Sequence, residues 1–342
     1  MLVSIVIDNY NYGRYLGACV ESALAQTYEP LEVVVVDDGS TDDSREILAR
    51  YASRTTVVLK ENSGQGSALN AGFEASHGEV ILFLDADDRL DPETAATVAR
   101  HWQPDVAKVQ YGLRMIDEEG NRLPGLVDGT IDPALEPREW LLRTGSSPSP
   151  SLSGTAYGRP ALEAMLPMPP DPWRISADAY LSTLAPILGR VIALPDILGA
   201  YRIHPDNRWV PKEITGERLR SHLELDVKRF ETLERFGADR GVAVPRDIDL
   251  RDARHLQWRL ASLRWDPERH PIGSDRTWTL ALRGVRATAG PMPRKALTRL
   301  LMAAWFLAMA VVPRRLARHL VRLRLLPRSR PRPLQWLIGG AG

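Results

Sequence analysis

Cysteine is nearly absent from this sequence of 342 residues, which contains only Cys19. A single cysteine excludes an intramolecular disulfide and a metal site built from several cysteines, and Cys19 is interpreted as a small apolar residue on a helix. The first eight residues also lack the basic region and cleavage site of a secretory signal, because they already have the pattern of a strand. A cytoplasmic location is therefore expected.

Acidic residues are absent after Asp275, although 14 of the 44 lysines and arginines lie there. The first 275 residues consequently carry a formal charge of −13, and the last 67 carry +14. This asymmetry indicates an acidic body followed by a basic tail that suits an anionic surface. Nucleic acid is not the expected partner, because the body is acidic and no nucleic-acid-binding motif is present.

The tail also lacks a hydrophobic run long enough to span a bilayer. Residues 300–312 form an uncharged apolar run of 13 residues, and a spanning helix needs ~20. After Pro313, leucines and arginines alternate in the manner of an interfacial amphipathic helix: Arg315, Leu316, Arg318, Leu320, Arg322 and Leu323. The tail is therefore predicted to hold the protein on anionic lipid at the inner face of the cell membrane. The alternative is a buried helix followed by a solvated basic arm.

The first hundred residues alternate apolar, β-branched runs with amphipathic segments. Strand patterns cover residues 3–7, 31–36, 56–59 and 80–84, and helix patterns follow at 15–24, 44–51, 67–75 and 94–102. This alternation predicts an α/β fold with a doubly wound, mainly parallel sheet, in which ligands gather at the carboxyl ends of the strands. Acidic residues follow three of these strands. Asp8 follows the first strand, Asp37 and Asp38 follow the second, and the aspartates within residues 85–88 follow the fourth.

Later segments extend this domain and then change in character. Predicted strands cover residues 106–113, 191–194 and 198–203, predicted helices cover 137–143 and 177–185, and the Ser- and Pro-rich residues 145–151 form a surface loop. Beyond Asn207, residues 215–236 and 250–265 have helical spacing. The predicted divisions are therefore a first domain of residues 1–207, an α-helical region of residues 208–290 and a membrane-associating tail of residues 291–342.

Asp85 and Asp87 follow residues 80–84, which are apolar enough to form a buried central strand. Two carboxylates at a sheet edge suit Mg²⁺ or Mn²⁺, which prefer oxygen ligands and share them with substrate phosphates. The structural alternative is a helix start rich in aspartate, because Asp88 or Asp91 can cap the helix that opens at Pro92. A cap accounts for one of the four aspartates.

Two further polar segments have both a structural and a functional interpretation. After Asp37 and Asp38, a hydroxyl of Ser40 or Thr41 can cap the next helix, whereas the carboxylates can accept an N–H from a nucleobase edge. Residues 62–72 contain glycines and a helix start, which permit close backbone approach and favour an anion.

Together these segments resemble the family-2 inverting glycosyltransferases, which have the GT-A fold. Their nucleotide-sugar domain has a strand leading to Tyr-Asn, then V-D-D-G-S-x-D, then N-x-G-x-x-x-A-x-N-x-G, then L-D-A-D-D. This chain has the four motifs in that order, at residues 10–11, 36–42, 62–72 and 84–88. The resemblance covers residues 2–207.

The resemblance implies a site for a UDP-, GDP- or dTDP-sugar donor. Asp38 is expected to contact the base and Asp85 the ribose, and Asp87 to hold the Mg²⁺ or Mn²⁺ that bridges the diphosphate. The expected donor-binding residues are Asp8, Tyr10, Asp38, Asn70, Asp85 and Arg202. The chain departs from the family at Asp8, where a proline is usual, and at Leu69, where an arginine is frequent. The identity of the donor therefore stays open.

The resemblance also implies a general base about ninety residues after the metal motif, where the family often has Glu-Asp at a helix start. Residues 173–181 match this segment, with Ala177 in place of the glutamate and Asp178 retained. Asp178 is expected to take the proton of the acceptor hydroxyl. Its structural alternative is a first-turn aspartate that stabilises the helix dipole, with Ser176 as the N-cap.

Residues 199–207 resemble the family's Y-R-x-H segment, which closes over the diphosphate. Arg202 is expected to offset the charge of the leaving group, and His204 to ligate the metal or donate to a phosphate. The alternative for His204 is a structural histidine. Residues 153–157 and 160–166 resemble the acceptor-side strand and helix of the family, without a specific role.

The sequence thus predicts sugar transfer to a glycan or lipid-linked acceptor, in the synthesis of a cell-surface polysaccharide or glycoconjugate. A sugar nucleotidyltransferase shares such a sheet but needs a glycine-rich phosphate loop, and residues 8–15 contain only Gly13. A HAD-type phosphohydrolase needs Thr or Val where Arg89 stands. A non-catalytic membrane scaffold is disfavoured because Asp85, Asp87 and Asp178 are intact.

Overall fold

The structure, a computed structural model, describes residues 1–128, 136–205, 207, 213–290 and 296–326. The chain forms two compact units. Unit 1 comprises Met1–Pro137 and Pro148–Pro205, and unit 2 comprises Arg138–Ser147 and Asp206–Gly342. The strands of the described residues are β1 (Val3–Asn9), β2 (Leu31–Asp37), β3 (Thr56–Leu59), β4 (Val80–Asp85), β5 (Arg89–Leu90), β6 (Val106–Ile116), β7 (Arg122–Val127), β8 (Thr155–Gly158) and β9 (Arg190–Arg202).

The helices alternate with these strands and then continue alone to the end of the described chain. They are α1 (Gly13–Leu24), α2 (Ser44–Ala49), α3 (Gln65–Ala75), α4 (Thr94–His101), α5 (Pro137–Thr144), α6 (Arg159–Met165), α7 (Pro170–Trp173), α8 (Ala177–Leu188), α9 (Gly216–Ala238), α10 (Ala253–Trp265), α11 (Thr277–Thr288), α12 (Ala296–Val311) and α13 (Arg314–Leu325). The predicted α/β fold with a helical C-terminal region is thereby confirmed.

The strands of unit 1 form one sheet in the order β3-β2-β1-β4-β8-β6-β9-β5, with β7 paired to β6. Strands β3, β2, β1 and β4 are mutually parallel, as predicted. Their register sets Asp8 beside Asp85 and Asn9 beside Asp37. The acidic ends of three strands therefore meet at one edge of the sheet.

The other half of the sheet is mixed. Strand β8 runs antiparallel to both β4 and β6, whereas β9 runs parallel to β6. The prediction of two short strands at 191–194 and 198–203 was wrong, because β9 is continuous from Arg190 to Arg202. Its register against β6 shifts between Ala193 and Ile197, on either side of Pro195. Such an irregularity accommodates a proline, which cannot donate a hydrogen bond to the neighbouring strand.

The core of unit 1 lies on the apolar faces of this sheet. Strands β1 and β4 lie in the parallel half of the sheet. Their apolar side chains Ile5, Ile7, Leu82 and Leu84 are fully buried. Cys19 on α1 is also fully buried in this core, which confirms its interpretation as a small apolar residue. A buried, rigid pair of central strands fixes the positions of the carboxylates that follow them.

Unit 2 is helical among its described residues. Thr215 caps α9 by accepting a hydrogen bond from the N–H of Arg218 at 3.1 Å. Asp252 caps α10 by accepting from the N–H groups of Arg254 and His255. The core joins apolar residues of the helices, among them Leu219, Leu256, Leu260, Leu280, Phe306 and Val321.

Helix α12 is apolar on both sides. One side is buried in the core of unit 2, through Met302, Trp305, Phe306 and Met309. The opposite side, here called the apolar face of α12, consists of Leu297, Leu300, Leu301, Leu307 and Val311, whose side chains are 36–66% exposed. Among the described residues, no helix is both long and apolar enough to cross a membrane.

The sequence pattern predicted that α13 is an interfacial helix, but part of α13 packs into the same core. Ala317 and Val321 are fully buried, and Leu320 packs against the core. Leu316 is exposed, and so are Arg314, Arg315 and Arg318. Among the described residues 296–326, the exposed apolar side chains therefore lie mainly on α12, and the exposed charges mainly on α13.

Candidate active site

The carboxylates at the edge of the parallel strands repel one another. Burial and the charge of Asp87 raise the pKa of Asp8 to about 7. Burial, together with the charges of Asp8 and Asp88, raises the pKa of Asp85 well above its usual value. The buried Oδ1 of Asp8 accepts no hydrogen bond from the described residues. The cluster has more negative charge than its surroundings offset, which favours a bound cation.

The two predicted metal ligands lie in direct contact. Asp87 Oδ2 is 2.8 Å from His204 Nε2. The ring of His204 is buried and packs against Tyr12 and Tyr15, with centroids 5.5 Å and 5.3 Å away. Packing on two aromatic rings fixes the orientation of the imidazole, so that one nitrogen points at the carboxylate.

This donor set fits a Mg²⁺ or Mn²⁺ ion that is completed by substrate. Within the described residues, no three His, Cys, Asp or Glu side chains converge into a ready metal site. A carboxylate and an imidazole leave the remaining positions to diphosphate oxygens and water, as is usual for Mg²⁺ with nucleotide substrates. The unpartnered Oδ1 of Asp8 and the raised pKa of Asp85 indicate that a bound cation would stabilise the ionised carboxylates of this site.

Ser153 holds Asp85 and Asp88 in place through hydrogen bonds, a role that the sequence analysis missed. It lies in a 3-10 turn, Leu152–Gly154, and is fully buried. Its Oγ donates to Asp88 Oδ2 at 2.6 Å and accepts from the N–H of Asp85 at 3.1 Å. Gln65 adds a second contact, because its Nε2 donates to Asp85 Oδ1 at 3.0 Å. Ser153 and Asp88 lie 65 positions apart, so no local pattern of the sequence indicates this role.

Arg202 is buried and clamps the backbone of the aspartate motif. Its N–H donates to Asp88 Oδ1 at 2.9 Å, and its Nε donates to the carbonyl oxygen of Asp87 at 2.8 Å. Its Nη1 donates to the carbonyls of Asp117 and Glu118. The guanidinium also lies 4.6 Å from the ring centroid of Tyr15. These contacts give Arg202 a structural role at the site, in addition to the expected contact with a leaving group.

Asp38 holds the glycine-containing loop. Its carboxylate accepts from the N–H of Ser63 at 3.0 Å, from the N–H of Gly64 at 2.7 Å and from Lys60 Nζ. Asp37 instead accepts from Asn9, Ser40 and Arg45, which fixes the turn before α2. The two neighbouring aspartates thus have different surroundings, and only Asp38 faces the loop.

The glycine-containing loop packs tightly against the segment that leads to Asp178. Gly64 has φ of +90°, a conformation that glycine adopts without strain, and a Cβ there would lie 2.5 Å from the carbonyl oxygen of Arg174. The next residue, Gln65, donates its N–H to the same oxygen at 2.8 Å. A side chain at position 64 would therefore separate the loop from the Asp178 segment.

Asp178 lies in the first turn of α8, as predicted, and is partly exposed. Its Oδ1 accepts from the N–H of Ala179 at 2.8 Å, whereas Ser176 at the N-cap position makes no side-chain cap. The charge of Asp178 contributes to the raised pKa of Asp85. The carboxylates of the metal motif and of the expected base therefore belong to one electrostatic site.

Asn70 and Tyr10, two of the predicted donor-binding residues, do not contact the aspartate cluster in the contacts described for them. The amide of Asn70 pairs with the backbone of Met168, donating at 3.0 Å and accepting at 2.8 Å, and so ties α3 to the loop after α6. Tyr10 directly follows β1, the strand that carries Asp8, and is 38% exposed. Asn11, which follows it with φ of +59°, accepts from the N–H of Thr41 at 2.7 Å.

The fold and the site together define a glycosyltransferase of the GT-A type. Residues 4–166 match the sequence model of glycosyl transferase family 2. An uncharacterized glycosyltransferase of Nostoc sp. (strain PCC 7120) is 36% identical over 276 residues, which cover 75% of this chain and 83% of that protein. The chain therefore belongs to glycosyl transferase family 2 and is a glycosyltransferase enzyme.

Further comparisons extend this result to the fold. Chondroitin synthase of Escherichia coli is 43% identical over 125 residues, which cover 35% of this chain and 18% of that protein. Residues 1–349 of S. aureus TarS in complex with UDP-GlcNAc match with a TM-score of 0.53 at 17% identity, covering 95% of this chain and 91% of that one. The mannosyltransferase PcManGT of Pyrobaculum calidifontis, in complex with GDP-Man and Mn²⁺, gives 0.53 at 21% identity, covering 95% and 84%.

Proposed function

We propose that this enzyme transfers a sugar from a UDP-, GDP- or dTDP-sugar to a hydroxyl of a glycan or lipid-linked acceptor, with inversion at the anomeric carbon. The expected role is the synthesis of a cell-surface polysaccharide or glycoconjugate. The observation that carries the proposal is the arrangement at the edge of the parallel strands, where Asp8 lies beside Asp85 and Asp87 Oδ2 lies 2.8 Å from His204 Nε2. The nucleotide sugars in the TarS and PcManGT structures support a donor of this chemical class.

The donor is expected to bind along the edge of the parallel strands. Asp38 accepts an N–H of the base, for which the ammonium of Lys60 must give way, since it now contacts the same carboxylate. Asp85 accepts a ribose hydroxyl, and Asp8 and Tyr10 line the same edge. Asp87 and His204 would hold Mg²⁺ or Mn²⁺, which offsets the diphosphate charge when bound. Mn²⁺ in the PcManGT structure supports this cofactor class.

The proposed chemistry needs one base and one direction of attack. Asp178 takes the proton of the acceptor hydroxyl as its oxygen forms a bond to the anomeric carbon. The bond from that carbon to the donor's diphosphate breaks on the opposite face, and its electron pair leaves with the diphosphate. Arg202 holds the aspartate motif in place during this step, because its Nε donates to the carbonyl oxygen of Asp87 and its backbone N–H donates to the carboxylate of Asp88. One displacement of this kind inverts the configuration.

Two substitutions separate donor capture from chemistry. Asp178→Asn should lower the turnover number by ~10²-fold or more and leave the donor dissociation constant nearly unchanged. Asp87→Asn should abolish the metal-dependent rise in thermal midpoint that a matching UDP-, GDP- or dTDP-sugar produces with Mn²⁺. Asp171→Asn is the matched control, because Asp171 is an exposed aspartate in the segment before α8. Near wild-type turnover of Asp178→Asn, or a product that keeps the donor's configuration, would contradict the proposal.

The enzyme is further proposed to act as a peripheral protein at the inner face of the cell membrane. The apolar face of α12 carries no charge over Leu297, Leu300, Leu301, Leu307 and Val311. Helix α13 adds exposed arginines, and α11 exposes Trp278, an aromatic residue typical of membrane interfaces. An apolar face and exposed basic side chains on the helices of one unit match an anionic lipid surface in both chemistry and charge.

Vesicle binding tests this location. Leu300→Gln combined with Leu307→Gln should reduce binding to phosphatidylglycerol vesicles, and salt should weaken binding of the wild type only in part, because screening leaves apolar insertion intact. Leu59→Gln is the matched control, since Leu59 is an exposed leucine of β3 in unit 1. Unchanged binding of the double variant would exclude α12 as the contact surface. Equal binding to phosphatidylcholine vesicles would exclude the electrostatic part.

A further inference from the structure

Tyr15 carries a buried hydroxyl group that has no hydrogen-bond partner in the described part of the chain. The residue lies in the first turn of α1 and is 6% exposed. An unpaired hydroxyl in the interior is costly, because it has given up its hydrogen bonds to water without replacement. Phenylalanine would fill the same space without this cost, so packing alone does not explain the hydroxyl.

The ring of Tyr15 lies beside the predicted metal ligands. Its centroid is 5.3 Å from the ring centroid of His204, whose Nε2 lies 2.8 Å from Asp87 Oδ2. The guanidinium carbon atoms of Arg14 and Arg202 lie 4.5 Å and 4.6 Å from the same Tyr15 centroid. Two cationic groups and a predicted metal ligand are therefore direct neighbours of this ring within unit 1.

These neighbours indicate the chemistry of the missing partner. Burial raises the pKa of the Tyr15 phenol, so the hydroxyl keeps its proton at physiological pH and can donate it in a hydrogen bond. Guanidinium groups attract anions, and phosphate oxygens accept hydrogen bonds strongly. The anion that comes to a divalent metal ion in a nucleotide-sugar site is the diphosphate of the donor.

We propose that the Tyr15 hydroxyl donates a hydrogen bond to an oxygen of the donor's diphosphate, so that the donor supplies the partner that the buried hydroxyl lacks. The inference rests on the proposed function, because it needs a nucleotide-diphosphate donor beside Asp87 and His204. It adds a residue of α1 to the donor-binding residues. Tyr15 lies outside the four motifs at residues 10–11, 36–42, 62–72 and 84–88.

A role in packing or folding predicts different behaviour. If the Tyr15 ring only orients His204, phenylalanine should serve equally well, because the ring contacts do not involve the hydroxyl. If the hydroxyl contributes to folding, its removal should destabilise the ligand-free protein. The proposal instead predicts that removal of the hydroxyl weakens diphosphate binding without a loss of stability.

Tyr180 provides a matched control for the stability measurement. It is also 6% exposed, but its Oη donates to the carbonyl oxygen of Met165 at 2.8 Å. Tyr180→Phe should lower the thermal midpoint of the ligand-free protein, because it removes a buried hydrogen bond. Tyr15→Phe should retain the midpoint of the wild type or raise it. A fall in the midpoint of Tyr15→Phe comparable with that of Tyr180→Phe overturns the inference.

Titration calorimetry on the full chain locates the partner of the hydroxyl. The probes are Mn²⁺ alone and Mn²⁺ together with pyrophosphate, UDP, GDP or dTDP. Tyr15→Phe should weaken binding of pyrophosphate and of the matching nucleotide by about tenfold or more, because a hydrogen bond to a charged group is lost. Its affinity for Mn²⁺ alone should equal that of the wild type, and Tyr180→Phe should bind every probe as the wild type does.

Two results of the titration contradict the inference. Wild-type affinity of Tyr15→Phe for the diphosphates would show that the hydroxyl does not contact them. An equal loss of affinity for Mn²⁺ alone would show that Tyr15 acts through His204. Failure of the proposed function has a separate signature, because the wild type itself would then bind none of the three nucleotides with Mn²⁺, and the inference would fail with it.

Discussion

Buried carboxylates are compensated in unit 2, whereas Asp8 and Asp85 at the edge of the sheet in unit 1 are not. Asp226 lies 3.1 Å from His255 Nδ1 and pairs with Arg229, and Asp275 lies 2.9 Å from His270 Nε2 and pairs with Arg259. Burial raises the pKa of each carboxyl, but the histidine hydrogen bonds and arginine charges outweigh it and lower both pKa values.

Asp8 and Asp85 of unit 1 have the reverse balance. Their neighbours include other carboxylates, and the pKa of each is raised by burial and by those negative charges. Compensated charge holds helices α9 and α10 together, whereas uncompensated charge costs stability until a ligand supplies the opposite sign. The difference identifies which acidic cluster is architectural and which belongs to the enzyme's site.

The largest effect on stability is expected from breaking a compensated cluster. Arg229→Met would leave Asp226 and Asp252 buried without their arginine and would remove the hydrogen bond to the carbonyl of Gly145. Loss of one partner from a buried ionic cluster typically costs about 3–5 kcal/mol. Thermal and denaturant unfolding of the ligand-free protein should therefore reveal a strongly destabilised variant.

The control for this experiment is the preceding residue of α9. Lys228 pairs with Glu231 on the surface, and their side chains are 55% and 58% exposed. Lys228→Met should leave the midpoint nearly unchanged, because an exposed pair contributes little. Similar losses in the two variants would mean that the buried cluster is not what stabilises unit 2.

A smaller effect of opposite sign is expected from neutralising the uncompensated cluster. Asp8→Asn removes a charge that burial and Asp87 disfavour. The free energy of unfolding of the ligand-free protein should therefore rise near pH 8, by at most the ~4 kcal/mol to which the difference between the ordinary pKa of 3.8 and the folded pKa of about 7 corresponds. The same variant should bind a matching nucleotide sugar less well. Asp196→Asn on β9 is an exposed control that should change neither quantity. A lower midpoint for Asp8→Asn would show that Asp8 stabilises the fold.

Much of this site was predictable because its residues follow strands. Apolar runs such as residues 80–84 specify buried parallel strands, and parallel strands end at one edge, so the acidic residues after them had to meet. Asp87 and His204 were predicted as metal ligands from separate motifs and lie 2.8 Å apart. Their roles in donor and metal binding stay predictions.

Other features depend on contacts that no local pattern encodes. Ser153 reaches Asp88 across 65 positions of sequence, and Lys108 reaches Ser149 across 41. The sequence analysis placed two strands at 191–194 and 198–203, whereas β9 is continuous and a register shift accommodates Pro195. The predicted first domain included the helix pattern at 137–143, whereas Arg138–Ser147 belongs to unit 2.

The smallest expected effect is a pH dependence that has opposite directions in the two clusters. The pKa of Asp8 is about 7 in the folded protein and 3.8 ordinarily, so between these values the folded state binds more protons than the unfolded state. Stability from this group is therefore present at low pH and lost as the pH rises toward about 7. The lowered pKa values of Asp226 and Asp275 give the reverse, stability that is lost only when the pH falls below the ordinary range of aspartate.

The midpoint difference between Asp8→Asn and the wild type isolates the unit 1 part of this dependence, because all other groups are common to both proteins. The advantage of Asp8→Asn should be smallest below about pH 4, grow between about pH 4 and about pH 7, and become constant above about pH 7, where Asp8 is ionised in both the folded and the unfolded state. Mn²⁺ together with a matching nucleotide sugar should reduce the advantage, since bound positive charge stabilises the ionised carboxylates of the wild type. A difference that is constant across this pH range would mean that Asp8 ionises at its ordinary pKa, and Asp8 would then not be an uncompensated carboxylate.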